Sequence, residues 1–274
     1  MRAYGAAWTF AILLAAAVPG PGRAQEYATP LPAPRTTSIP MLHGIAQARE
    51  VHERFSRGLA AQQRSDWATA AAEFERIVQL HPDEPQYSTA QYDLGLAYAN
   101  LHRLDEAARA FSNALAADPG FLAAMANLIA VDLARGDIAA ARRIADRFVA
   151  AAPDSARALY SRGIIALQSA DYAVARGDFS QLLRNDPQYA VGHYDLGVAE
   201  TRLGNLAAAE REFSSALALA PAYARARFAL GAVLLKEGRR SAARDAFARV
   251  AADPNGDPAL QNLALAMRDA IHAP

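Results

Sequence analysis

The chain has 274 residues, 53% of them hydrophobic, with 28 basic and 28 acidic side chains and no cysteine. That apolar content is enough to bury a sizeable core and excludes a disordered chain. The balanced charge offers no long-range field to nucleic acid or to an anionic membrane surface, so neither is expected as a partner. The lack of cysteine excludes disulfides, thiol nucleophiles and cysteine-based zinc sites.

At the N-terminus Arg2 is followed by an uncharged apolar run from Ala6 to Val18, then by a breaker-rich, small-residue stretch from Pro19 to Ala24. The run is shorter than the ~20 residues that a permanent membrane-spanning helix needs. A basic start, a short apolar run and small residues before a cut read as a secretory signal peptide over residues 1–24, cleaved near Ala24. The chain is accordingly expected to be periplasmic or otherwise exported. The alternative is a segment left uncut as an anchor, which would then be the chain's contact with a membrane. Residues 25–45, dotted with Pro30, Pro32, Pro34 and Pro40, read as an extended tether.

From there on the sequence repeats itself. Gly58, Gly95, Gly163, Gly197 and Gly231 recur with a period of 34 residues, Ile129 standing at the skipped position and a three-residue insertion around Glu84 to Tyr87 at the first junction. Sixteen residues after each glycine comes Phe74, Phe111, Phe179, Phe213 or Phe247, with Ala145 in the third copy. Eight residues further stand Pro82, Pro119, Pro153, Pro187 and Pro221, and Pro254 falls one residue early. A small residue where two helices cross, an aromatic that fills the gap, and a proline that stops the second helix make a helix-turn-helix unit. Gly136, Gly204 and Gly238 suit a left-handed backbone in the turn between the two helices. Strand periodicity is missing, so the chain is expected to be all-α.

The pattern resembles the tetratricopeptide repeat over residues 46–257. Leu94, Gly95, Tyr98, Ala107, Phe111, Ala114 and Pro119 stand at the family's signature positions in the second copy, and Leu196, Gly197, Gly204, Ala209, Phe213, Ala216 and Pro221 in the fifth. The third copy departs most, with Ile129, Asp132 and Ala145 at signature positions. The resemblance implies a right-handed α-solenoid of six repeats, at about 51–84, 88–121, 122–155, 156–189, 190–223 and 224–257. Residues 258–274 read as a capping helix, whose Leu260, Leu263, Met267 and Ile271 would cover the sixth repeat.

No constellation for catalysis emerges. His43, His52, His81, His102, His193 and His272 are scattered without partners at helical spacing, and no phosphate loop or nucleophile elbow is present, so neither a metal nor another cofactor is expected. Arg57 and Arg162, at a position that normally holds leucine, are expected to bury their stems and extend their heads into water. Asp105 and Glu106 are expected to pair with Arg109 along one helix.

What recurs besides the core signature is an aromatic three residues before each glycine position: Phe55, Tyr92, Tyr160, Tyr194 and Phe228, broken by Ala126. The resemblance implies that this position faces the concave groove, where a row of rings either makes a platform for a peptide or packs on the neighbouring first helix. Two turns further along stand Gln63, Asn100, Ala134, Gln168, Arg202 and Lys236. Arg157 and Arg225 are expected on the same face. The basic tilt of the C-terminal half suits an acidic or C-terminal carboxylate-bearing segment, the alternative being a solvated face with ordinary ion pairs. The resulting expectation is a non-catalytic scaffold of the bacterial cell envelope that binds another protein or peptide. The rivals are a self-assembling homo-oligomer and an accessory subunit of a separately encoded envelope enzyme or export complex.

Overall fold

The computed structural model describes residues 43–80 and 82–271. The signal-like segment, most of the tether, His81 and residues 272–274 lie outside the described residues. Thirteen helices and no strand are found among the described residues. The helices fall into two compact units, divided between Pro153 and Asp154.

The first unit holds three helix pairs: α1 (His43–Gln63) with α2 (Trp67–Gln79), α3 (Glu84–Asn100) with α4 (Leu104–Ala117), and α5 (Leu122–Ala134) with α6 (Ile138–Ala151). The helix α1 starts at His43, three residues inside the span read as tether. The second unit holds α7 (Ala156–Gln168) with α8 (Tyr172–Asn185), α9 (Ala190–Leu203) with α10 (Leu206–Leu219), α11 (Ala224–Lys236) with α12 (Arg240–Ala251), and a final helix α13 (Pro258–Ala270). Within each unit every helix packs on the next, and first helices also touch one another: α3 with α5, α7 with α9, and α9 with α11. This closeness puts the first helices on the inner side of each stack.

The recurring glycines and phenylalanines interlock inside each pair. A methyl group built on Gly58, Gly95, Gly163 or Gly197 would stand 2.7, 2.6, 2.7 or 2.7 Å from the ring of Phe74, Phe111, Phe179 or Phe213. Any side chain there would therefore collide with a ring that has no free space to move into. These four phenylalanines and Phe247 are fully buried.

Turns and stops follow the same register. Gly136, Gly204 and Gly238 have φ of +76°, +83° and +79°, while Ser65, His102 and Ala170 take the same left-handed place in the other three pairs. Asp118 and Asp186 end α4 and α8 in non-helical conformations just before proline, and their side chains accept the backbone N–H groups of Gly120 at 2.9 Å and Gln188 at 3.1 Å. Asp66, Asp137, Ser155 and Asp257 cap the helices that follow them through side-chain bonds to backbone N–H groups. The last helix is laid over the second unit by Leu260, Leu263, Met267 and Ile271, which pack on the cluster around Phe228 and Phe247.

Candidate functional site

The aromatic row turns toward the core. Each ring meets the phenylalanine of its own repeat: Phe55 with Phe74 at 5.9 Å between centroids, Tyr92 with Phe111 at 5.8 Å, Tyr160 with Phe179 at 6.1 Å, Tyr194 with Phe213 at 5.8 Å, and Phe228 with Phe247 at 5.1 Å. Three rings take a second aromatic from the residue that caps the next first helix, namely Tyr92 with Phe121 at 4.8 Å, Tyr160 with Tyr189 at 5.9 Å, and Tyr194 with Tyr223 at 5.1 Å. Tyr194 and Phe228 are 4% and 7% exposed, so these two are packing residues, which corrects their assignment to a binding platform. The physical reason is that Tyr194 is wedged between Phe213 and Tyr223, and Phe228 lies against Phe247 in the cluster under the last helix, so each ring gains more from burial than from facing solvent. Phe55, Tyr92 and Tyr160 remain half-buried.

The hydroxyls of Tyr92 and Tyr160 are held by polar residues placed two before the glycine position of the next repeat. Asn127 donates to the Tyr92 hydroxyl at 3.0 Å. Tyr160 bonds Asp195, which is 2% exposed and whose second carboxyl oxygen has no hydrogen-bond partner among the described residues. Burial pushes the Asp195 pKa up to about 8, against the Tyr160 bond and the positive charge of Arg225. Burial first, and the Asp195 charge second, raise the Tyr160, Tyr194 and Tyr223 hydroxyls well above the ordinary tyrosine range. In the first unit Asp93 occupies the same repeat position, bonds Gln62, and is pushed by burial up to about 7. Sequence reasoning passed over Asp93, Asn127 and Asp195. The available signal was a polar residue recurring between two apolar signature positions.

The predicted polar residues divide between the two units. In the first, Gln63 and Asn100 are exposed at the ends of α1 and α3, and Asn100 is turned back onto the Leu96 carbonyl of its own helix at 2.8 Å. In the second, Gln168 is half-buried with an unpartnered side-chain oxygen, and Arg157 is exposed at the start of α7. Arg225 lies close enough to Asp195 to act on its titration. Arg202 and Lys236 stand one repeat apart at the ends of α9 and α11 and make no ion pair among the described residues.

Arg57 keeps its side chain 51% exposed, in line with expectation, while also bonding an acid, whereas the expectations for Arg162 and Arg109 are corrected. Arg57 bonds Glu73 at 3.0 Å, and Arg162 grips Asp178 with two nitrogens at 2.8 and 2.6 Å, Asp178 being 3% exposed. Both arginines face the acid sixteen residues on, beside the phenylalanine, and the ion pair takes the place of a leucine contact. Asp105 pairs with Arg135 of the next repeat at 2.8 Å, and Glu106 with Arg103 at 3.0 Å, so Arg109 is left without either.

Among the described residues no helix is long and apolar enough to cross a membrane, and no three His, Asp or Glu side chains gather as a metal site. Family profiles described as tetratricopeptide repeat match residues 55–120, 131–190 and 202–266. Curated proteins give no match. Similar solved structures include residues 41 to the end of MamA from Desulfovibrio magneticus (21% identity, TM-score 0.57, 64% of this chain and 97% of that one). YrrB, described as a tetratricopeptide repeat protein with an unusual peptide-binding site, aligns at 16% identity and TM-score 0.61 over 72% of this chain and all of that one. A tetratricopeptide repeat protein from Parabacteroides merdae aligns at 16% identity and TM-score 0.60 over 80% and 99%. At these identities the likeness concerns the fold, an all-α tetratricopeptide solenoid.

Proposed function

This chain belongs to the tetratricopeptide repeat family, whose fold is generally a non-catalytic scaffold for protein–protein interaction, and from that starting point we propose an exported scaffold of the bacterial cell envelope. Its second unit holds an acidic or C-terminal carboxylate-bearing segment of a partner protein along the first helices α7, α9 and α11. The observation that carries this reading is the pair Arg202 and Lys236, cations at equivalent places on successive first helices without an internal acid to neutralise them. A ligand carboxylate there gains charge-assisted hydrogen bonds without breaking an existing pair. Tyr160, half-buried, adds apolar surface on the neighbouring first helix. Export is supported by the basic, apolar and small-residue order of residues 1–24.

The test is crosslinking of the full chain in its own host, comparing wild type with Arg202→Glu/Lys236→Glu. We expect the major crosslinked partner to be lost in the variant, and wild-type binding to weaken with added salt. An unchanged partner profile from a folded variant would remove the groove reading. Recovery of the wild-type chain in the cytoplasmic fraction would remove the envelope assignment. Light scattering on the mature chain is expected to give a mass independent of concentration, and a mass that rises with concentration would favour self-assembly instead.

A further inference from the structure

The third repeat breaks the family signature where a cavity opens. In the second repeat the ring of Tyr98 fills the space between α2, α3 and α4: its hydroxyl donates to Glu75 of α2, and the Arg103 guanidinium lies over the ring 4.4 Å from its centre. One repeat on, the same position holds Asp132, and the position of Glu75 holds Ser112. A short acid cannot fill the volume of a phenol. A pocket of about 410 Å³ remains between α4, α5 and α6, lined by apolar Ala108, Leu128 and Ile144 and by a set of charges.

Those charges are sorted unevenly. Arg135 bonds Asp105 at 2.8 Å and Asp132 at 2.9 Å, which occupies both carboxylates of the pocket. Arg109 of α4 and Arg143 of α6 line the same pocket, occupy the same position in successive repeats, and make no ion pair among the described residues. Three arginines against two aspartates leave the pocket one positive charge in excess. Ser112 and Asn113 on the α4 wall supply neutral donors.

We propose that this pocket is a second binding site, separate from the first-helix face, which takes a carboxylate-bearing group of about side-chain size between Arg109 and Arg143. The volume lies within the ~300–1,000 Å³ of small-ligand sites, and a guanidinium matches a carboxylate through paired N–H donors. The carboxylate comes either from a free small dicarboxylic acid or from a glutamate side chain of a partner protein.

The test is isothermal titration of the mature chain with glutarate and, separately, with the peptide acetyl-Ala-Glu-Glu-Ala-amide at low salt. Saturable binding with a Kd on the order of 0.1–1 mM is expected for at least one probe. Stronger binding of glutarate identifies the free acid as the source, and stronger binding of the peptide identifies the protein side chain. Arg109→Ser/Arg143→Ser, which alters two exposed and unpaired side chains, should fold as the wild type does and weaken binding by about tenfold or more. Asp132→Tyr restores the aromatic of the second repeat and should close the pocket. Absence of saturation by both probes, or binding unaffected by the double arginine variant, overturns the proposal. Equal affinity for inorganic sulfate overturns its carboxylate class.

Discussion

Alanine in place of glycine should shift stability in opposite directions at two positions of the second unit. At Gly197 the added methyl carbon would stand 2.7, 2.8 and 3.0 Å from three atoms of the Phe213 ring. Carbon atoms rest about 3.5–4.0 Å apart, so the ring must give way by most of an ångström. It has nowhere to go, being 1% exposed with Tyr194 against it. Overfilling of this kind costs about 1–3 kcal/mol, and the better helix propensity of alanine returns roughly 1 kcal/mol, leaving a net loss of up to about 2 kcal/mol. At Gly177, exposed within α8, nothing lies within 4 Å of the same methyl group. There the propensity gain of about 0.5–1 kcal/mol stands alone. Urea unfolding followed by helical circular dichroism reads both as shifts of the midpoint at unchanged slope. Adding Phe213→Leu to Gly197→Ala should recover part of the loss through coupling between neighbours. A rise in midpoint for Gly197→Ala comparable to that for Gly177→Ala would refute the interlock as the reason for the recurring glycine.

The buried acid of the second unit predicts a pH dependence. Because burial raises the folded pKa of Asp195 to about 8 while the unfolded value is near 4, the native state holds a proton that the unfolded chain has released between those limits. Its contribution is therefore full below pH ~4 and is lost as pH rises toward ~8, by about 1.4 kcal/mol per pH unit at most. Asp195→Asn should flatten that slope, and a parallel decline in the variant would assign it to other groups. Removing one member of the Arg162 and Asp178 pair by Arg162→Ala should cost about 3–5 kcal/mol, since it strands a buried carboxylate, whereas Arg162→Leu/Asp178→Ala restores an apolar pair and should fall within about 1 kcal/mol of wild type. Equal losses in the single and double variants, measured by denaturant unfolding, would contradict this account. Gly204→Ala, at φ +83°, should cost about 1 kcal/mol in the same assay, and a gain would show that the turn relaxes out of the left-handed region.

The fold was legible because its determinants are periodic. Gly197 and Phe213 are readable as a pair from their spacing alone, and so are the left-handed turn at Gly204 and the Asp186 stop before Pro187. The site was less so, because a position that faces inward in one repeat does not say how deep the ring sits. Tyr194 is buried by Phe213 and by Tyr223, which caps the next first helix, and Phe228 by Phe247 and the cluster under the last helix, so the depth of each ring depends on residues outside its own helix. The acids that hold Arg57 and Arg162 lie on the second helix of each pair, so neither helix taken alone reveals the pairing. Their acids at 73 and 178 keep the same sixteen-residue spacing as glycine and phenylalanine, and comparing the two registers would have found them. The pocket at Asp132 was foreshadowed only as a broken signature, since its size depends on which neighbours leave the space unfilled.

The glycine and phenylalanine interlock joins residues sixteen apart, and helix-to-helix contacts reach mainly to the next helix or the one after. Contacts this local close small loops, so the entropy lost in forming each one is modest and folding can start at any pair and spread to its neighbour. A chain built this way can assemble in the order in which it leaves a ribosome or a membrane pore, because no early segment has to wait for a distant one to arrive.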